Sequence, residues 1–248
     1  MANAYFVLMI HNEEEALLGV ITSIATATLP FSYKCQIVAI NDGSSDTSQR
    51  ILETASQTFP VHTIAYKERR GMPASFTGAF HHLSTILTDD DLVFTLEADG
   101  TNDSACLLPM IQKIHEGADV VIASRYAPGA VSVGFPQHRL WGSAVVNLFL
   151  GLLWGIPRVR DHSVLYRVYR GAPLRAYIAD AVPFRARRSF AVISEILLHM
   201  SRYTEKFAEV PLRYDYALKR GPSKMNLPQT LFEYTRITPP TVLGQRIL

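Results

Sequence analysis

Five times in the first 126 residues an apolar run of strand length breaks off into a cluster of polar residues. "YFVLMI" (5–10) leads into "HNEEE", "CQIVAI" (35–40) into "NDGSSD", and "VHTIAY" (61–66) into "KERRG". "DLVFTL" (91–96) leads into "EADGTND", and "ADVVIASRY" (118–126) ends in "SRY". Uninterrupted apolar strands are those buried on both faces, and helical patterns lie between them: "PASFTGAFHHLSTIL", for example, and "CLLPMIQKIHEG". Alternation of this kind predicts an α/β fold, a mostly parallel central sheet flanked by helices in the Rossmann-like manner. Ligands in such sheets bind beyond the carboxyl ends of the strands, so the five charged loops predict one shared site.

Composition narrows the alternatives. At 248 residues, 48% hydrophobic and 19% charged, the chain supports one large core. Twenty-four basic against 22 acidic residues leave a net charge of +2, which does not argue for a nucleic-acid partner. The charge is nonetheless uneven: Arg185, Arg187 and Arg188 in "FRARRSF", and Lys219, Arg220 and Lys224 in "LKRGPSK", form basic clusters suited to phosphate or an anionic lipid surface, or to nothing more than a solvated face. Cys35 and Cys106 stand far apart without metal-type spacing, so a reducing, cytoplasmic setting is expected. The opening residues have no basic region and reach three glutamates early, unlike a signal peptide. The longest apolar run, "AVVNLFLGLLWGI" (144–156), contains an asparagine and is shorter than the roughly 20 residues a bilayer span requires.

The loop after the fourth strand carries Glu97, Asp99 and Asp103. Three carboxylates there suit a hard divalent cation, Mg²⁺ or Mn²⁺, which takes one or two protein carboxylates and completes its shell with substrate phosphates. The competing reading is that these residues end the strand and cap the helix at 104–114. "NDGSSD" is ordinary turn chemistry unless Asp42, at the end of a neighbouring strand, accepts hydrogen bonds from a ligand. Glu13, Glu14 and Glu15 suit either a binding loop or a favourable first helical turn. His81, His82 and His115 have no ligand-type partners and read as surface or packing residues.

Taken together, these motifs resemble the family 2 glycosyltransferases of GT-A fold, and among them the polyprenyl-phosphate sugar synthases such as dolichol-phosphate mannose synthase. The resemblance runs from about residue 5 to 226. "IHNEEE" is similar to the family's Tyr-Asn-Glu-Glu opening, with His11 for tyrosine; "INDGSSDTS" to its Asp-Gly-Ser-x-Asp loop; and "LEADGTND" to its Asp-x-Asp metal motif, with Glu97 for the first aspartate. "ASRY" is similar to the family's Ser-Arg-Tyr, and "DHSVLYR" to its Asp-x-Thr-Ser-Gly-Phe-Arg, with Val164 and Leu165 for Ser-Gly. "EVPLRYDYALKRGPSK" keeps Glu-Val-Pro and Gly-x-Ser-Lys, with Leu218 where arginine is common.

The resemblance implies a nucleotide diphosphate sugar held by His11, Glu13, Asp42, Arg70 and Ala98, with the metal on Asp99 and with Glu97 and Asp103 beside it. It implies an acceptor polyprenyl phosphate gripped by Arg125, Arg139 and Ser143, with Asp161, Arg167 and Lys224 around it, so that Asp99, Arg125, Arg139 and Ser143 carry the catalysis. The implied reaction is an inverting transfer by a cytoplasmic protein with peripheral contact at the cytoplasmic membrane face. The helix at 139–154 would turn Trp141, Leu148 and Leu152 either to that membrane or an isoprenoid chain, or inward to the core. One catalytic domain is expected over 1–226, with a nucleotide-sugar half (1–126) and an acceptor half (127–226), followed by a C-terminal tail (227–248) whose last stretch, "PPTVLGQRIL", is expected to be loosely held. A soluble small-molecule or glycan acceptor, and a catalytically silent nucleotide-binding domain, are the alternative functions.

Overall fold

The structure, a computed structural model, describes residues 2–27, 33–218 and 227–238, without the side chains of residues 138, 139, 227 and 228. In chain order the strands are β1 (Asn3–Ile10), β2 (Lys34–Asp42), β3 (Val61–Tyr66), β4 (Leu92–Glu97), β5 (Val120–Ser124), β6 (Val131–Val133), β7 (Arg167–Arg170), β8 (Phe207–Pro211) and β9 (Arg213–Asp215). The helices are α1 (Leu17–Ala25), α2 (Ser48–Ala55), α3 (Met72–Ser84), α4 (Leu107–His115), α5 (Gln137–Trp154), α6 (Gly171–Ala179), α7 (Ala191–Met200) and α8 (Leu227–Ile237).

The main sheet runs β3-β2-β1-β4-β7-β5-β8, and β6 pairs with β9 in a small second sheet. β1 is parallel to both β2 and β4, and β2 is parallel to β3. The continuous apolar runs explain this centre: residues 4–10 of β1 are all buried, as a strand covered on both faces must be. Phe6 and Phe94 stack across the β1/β4 pair at 4.7 Å. The five strands of the first half thus form where the sequence predicts them, and their register aligns the ends that matter. Ile10 pairs with Asn41 and Met9 with Glu97, so the loops opened by His11, Asp42 and Ala98 leave the sheet along one edge.

The second half is less regular. β7 enters antiparallel between β4 and β5. This insertion places Arg167 in the interior, almost fully buried. Within the C-terminal segment Leu227–Ile237 form a helix, and the stretch "PPTVLGQRIL" lies outside the described residues. α8 packs on α7 and buries Tyr234 and Ile237, which ties residues 227–237 to the core. Among the described residues no helix is long and apolar enough to cross a membrane.

Candidate functional site

Along the edge formed by β1, β2 and β4, the first two loops are laced together. Ser44 Oγ accepts the Asn12 amide (3.0 Å), Asn12 Oδ1 accepts the Ser45 amide (2.8 Å), and Ser48 Oγ accepts the Glu13 amide (3.0 Å). Glu14 accepts from both the amide (3.0 Å) and hydroxyl (2.6 Å) of Thr47, while Asp46 accepts from the Glu14 amide (3.1 Å). The acidic run therefore precedes α1 rather than forming its first turn, and cross-links one loop to the next. His11 Nδ1 lies 2.8 Å from the Asp42 carbonyl oxygen.

Asp42 is nearly buried, and its two oxygens accept the amides of Arg70 (2.6 Å) and Gly71 (2.8 Å). It thereby fixes the third loop against the second. Gly43 is required here: its φ is +62°, and a Cβ would lie 2.4 Å from the Arg69 nitrogen and the Glu68 carbonyl carbon. Arg70 places its guanidinium 5.0 Å from the centre of the Tyr66 ring. His11, Glu13, Asp42 and Arg70 are thus brought to one edge by hydrogen bonds between the side chains of one loop and the backbone of the next.

After β4, Asp99 is buried, and its Oδ1 accepts the Thr101 amide (3.1 Å) and hydroxyl (2.6 Å). Ala98 beside it is fully buried, and Glu97 is half-buried. The expected three-carboxylate cluster is not formed: among the described residues no group of three His, Cys, Asp or Glu side chains converges on a metal position. Asp103 instead accepts the Ala105 amide (2.9 Å) and caps the short 3₁₀ turn at Ser104–Cys106. Asp99 with Glu97 still offers the hard oxygen donors that suit Mg²⁺ or Mn²⁺, and one or two protein carboxylates suffice when substrate phosphates complete the shell. A cavity of about 310 Å³ opens behind this loop, but its lining of Glu15, Gly19, Leu96, Glu97, Leu107 and Tyr166, among others, contains none of His11, Asp42, Arg70 or Asp99.

Of the residues expected on the acceptor side, Arg125, Asp161 and Ser143 meet in a second network. Arg125 and Asp161 form a two-pronged ion pair, Nε to Oδ2 and Nη2 to Oδ1, each 2.8 Å. Arg125 Nη2 also donates to Ser163 Oγ (2.8 Å), which accepts from Asn147 Nδ2 (3.0 Å). Asn147 in turn donates to the carbonyl of Ser143 one helical turn earlier (2.8 Å) and accepts the His162 amide (2.6 Å). Asp161 is wholly buried; burial alone raises a carboxyl pKa, but the Arg125 charge and hydrogen bonds outweigh it and hold this one below its usual range. Asp161 is therefore the counter-ion of Arg125. A carboxylate cannot itself attract a phosphate, and its part is to orient the arginine.

Arg167 likewise departs from the expected role. Its guanidinium donates to the carbonyls of His162 (2.8 Å) and Ile193 (2.6 Å) inside the core, so it shapes the 161–164 loop from below. Glu209 of β8 supports the same loop from another side by accepting the amides of Arg160 and Asp161, both at 2.8 Å. Arg139 precedes Ser143 by one turn of α5, with its side chain outside the description, and Lys224 lies outside the described residues. Asn147, Ser163 and Glu209 were not anticipated. The available signal was Asn147, the one polar residue in the run 144–156 and spaced i, i+4 from Ser143. α5 is no core helix: Trp141 is 72% exposed, Leu148 66% and Leu152 69%, with Val145 and Phe149 on the same open surface.

The model of "Glycosyl transferase family 2" matches residues 5–178. An undecaprenyl-phosphate 4-deoxy-4-formamido-L-arabinose transferase of Salmonella choleraesuis is 31% identical over 168 residues, covering 66% of this chain and 47% of its own. A dolichol-phosphate mannosyltransferase of Pyrococcus furiosus is 26% identical over 226 residues, 91% of this chain and 60% of that one. This chain thus spans about half to three-fifths of the length of these relatives. Among solved structures, mannosyl-3-phosphoglycerate synthase from Rubrobacter xylanophilus superposes with a TM-score of 0.66 at 17% identity, covering 100% of this chain and 76% of that one. Glucosyl-3-phosphoglycerate synthase from Mycobacterium tuberculosis, solved with Mn²⁺ and UDP-glucose, gives 0.62 at 16% identity, covering 93% and 76%. These likenesses identify the fold as GT-A. With the laced loops of the β1, β2 and β4 edge and a family match over most of its length, the chain belongs to glycosyl transferase family 2.

Proposed function

We propose that the chain moves a sugar from a nucleotide diphosphate sugar to a polyprenyl phosphate. The observation that carries this reading is the second network: Arg125, oriented by buried Asp161 and tied through Ser163 and Asn147 to Ser143, adjoins a helix whose apolar face is open to the outside. A fixed arginine fork beside an exposed apolar surface suits a ligand with an anionic head and a hydrocarbon tail. The two relatives, by name an undecaprenyl-phosphate transferase and a dolichol-phosphate mannosyltransferase, agree with it.

The donor lies over the first edge, its base and ribose against His11, Glu13, Asp42 and Arg70, its diphosphate toward Ala98 and Asp99. Asp99, with Glu97, would hold Mg²⁺ or Mn²⁺, which when bound neutralises charge on the diphosphate. Arg125, Arg139 and Ser143 hold the acceptor phosphate, with Lys224 near it. A phosphate oxygen attacks the anomeric carbon as the bond from that carbon to the diphosphate breaks, so the configuration inverts and the nucleoside diphosphate leaves with the electron pair. The attacking oxygen is already ionised, and no side chain is needed to remove a proton. Trp141, Leu148 and Leu152 rest on the membrane surface that supplies the lipid.

Nucleoside diphosphate release from a panel of UDP- and GDP-sugars, with and without polyprenyl phosphate, tests this reading. Release from one donor, stimulated by the lipid, abolished by chelator and reduced about 100-fold or more in Asp99→Asn, is expected. Stimulation only by soluble acceptors would move the acceptor to a sugar or small molecule. No release with any donor would make the chain a silent nucleotide-binding domain.

A further inference from the structure

The loop between α6 and α7 is built in an unusual way. Five consecutive amides, from Arg185 to Ser189, donate to two carboxylates brought in from different helices. Glu195 of α7 accepts those of Arg185 (2.7 Å) and Ala186 (3.0 Å). Glu233 of α8 accepts those of Arg187 (3.1 Å), Arg188 (3.4 Å) and Ser189 (3.2 Å), and also the Ser189 hydroxyl. Both glutamates are buried, whereas Arg185, Arg187 and Arg188 are exposed. Two buried carboxylates are thus committed to holding a short segment that presents three arginines.

This segment touches the donor edge. A Cβ on Gly71 would lie 3.3 Å from the Cα and the carbonyl oxygen of Arg188, so the two backbones are in close contact. Gly71 is also the residue whose amide is accepted by Asp42. Continuous contacts therefore run from Glu233 to the 187–189 amides, through the Arg188 backbone to Gly71, and on to Asp42.

We propose that Glu233 is a positioning residue for the donor site, holding the 185–189 segment against Gly71 and so fixing the third donor loop and the basic wall beside it. The proposal rests on the reading of that edge as the nucleotide site. Carboxylates accepting backbone amides are among the stronger hydrogen-bonding arrangements, and removing Glu233 strands three amides and a hydroxyl at once. The segment then loses its fixed distance from Gly71. The acceptor network of Arg125, Asp161, Ser163 and Asn147 contains none of these residues and keeps its shape.

The test is the dissociation constant of UDP and of GDP by calorimetry with Mg²⁺, alongside the KM for undecaprenyl phosphate in detergent, for wild type, Glu233→Ala, Glu233→Gln and Gly71→Ala. Glu233→Ala is expected to weaken nucleotide binding about tenfold or more while the acceptor KM stays within twofold. Glu233→Gln, which keeps one acceptor oxygen, recovers most of the loss. Gly71→Ala, which disturbs the same contact from the donor side, shows the same selective loss, and with Glu233→Gln it decides the matter if Glu233→Ala does not fold. Unchanged nucleotide binding in the folded variants, or an equal loss on both substrates, overturns the proposal. A wild-type protein that binds neither nucleotide overturns the donor-site reading itself and takes this proposal with it.

Discussion

His162 makes stability depend on pH in a way that can be isolated. Its ring is fully buried, edge-on to Trp154 at 5.8 Å between centroids, and neither ring nitrogen has a hydrogen-bond partner among the described residues. Burial first, and the Arg167 charge second, push its pKa down to about 4 from the ordinary 6.5. The unfolded chain therefore takes up a proton at higher pH than the native one. The stability that follows from a neutral ring is fully present above pH 6.5 and is lost as pH falls from there toward 4. Between pH 7.5 and pH 5 the loss comes to about 2 kcal/mol for this one residue. His199, pushed down to about 4 mainly by its own burial, adds a similar loss, while Glu195 and Glu209, raised by burial, act in the opposite direction above pH 4.5. Comparison with His162→Leu cancels these shared contributions. The variant leaves no buried donor unmet and keeps similar volume, so at pH 7.5 it lies within about 1.5 kcal/mol of wild type. Urea unfolding of both proteins across pH 5–7.5 should show the wild type losing about 2 kcal/mol more than the variant. Equal losses would refute the assignment of His162 as a neutral buried ring in the native state.

Three further outcomes follow from the geometry. Gly43→Ala puts a Cβ onto the Glu68–Arg69 backbone at positive φ and should cost about 3 kcal/mol, read as a lower urea midpoint together with weakened nucleotide binding. Asp161→Asn leaves the Arg125 guanidinium buried beside a neutral amide, at a cost of about 3–5 kcal/mol, and should lower Tm by on the order of 10 °C with loss of transfer. Trp141→Ser with Leu148→Ser removes two exposed apolar side chains, so Tm should hold within about 2 °C while binding to anionic vesicles falls roughly tenfold or more; unchanged vesicle binding would detach α5 from the membrane surface.

The edge formed by β1, β2 and β4 was legible in the sequence because each part of it is local. Every parallel strand there is a continuous apolar run, and the residues that matter follow within a few positions. Even so, the sequence could not say that Glu14 and Asp46 would serve each other's loops, since the lacing depends on β1 and β2 lying in register. The second half was harder to read for identifiable reasons. β7 is four residues long and antiparallel, and nothing in "RVYR" distinguishes an interior arginine from one facing a ligand. Arg167 matched a motif by type and position, but the register put it among core carbonyls. α8 was hidden by its buried face, which is spaced at helical intervals through Thr230, Glu233, Tyr234 and Ile237 and so shows little apolar periodicity. Asp103 had two readings, ligand or cap, and in the structure its carboxylate accepts the Ala105 amide and caps the short turn after it.

Label transfer into an organic-extractable product reads the proposed reaction itself. Purified protein is incubated with a labelled UDP- or GDP-sugar, a polyprenyl phosphate in detergent, and Mg²⁺ or Mn²⁺. One donor is expected to label the lipid, omission of the lipid or addition of chelator to remove the label, and Arg125→Ala to abolish transfer while nucleotide binding survives. If a donor binds with metal present and no lipid is labelled under any condition, the acceptor assignment of Arg125, Arg139 and Ser143 is contradicted.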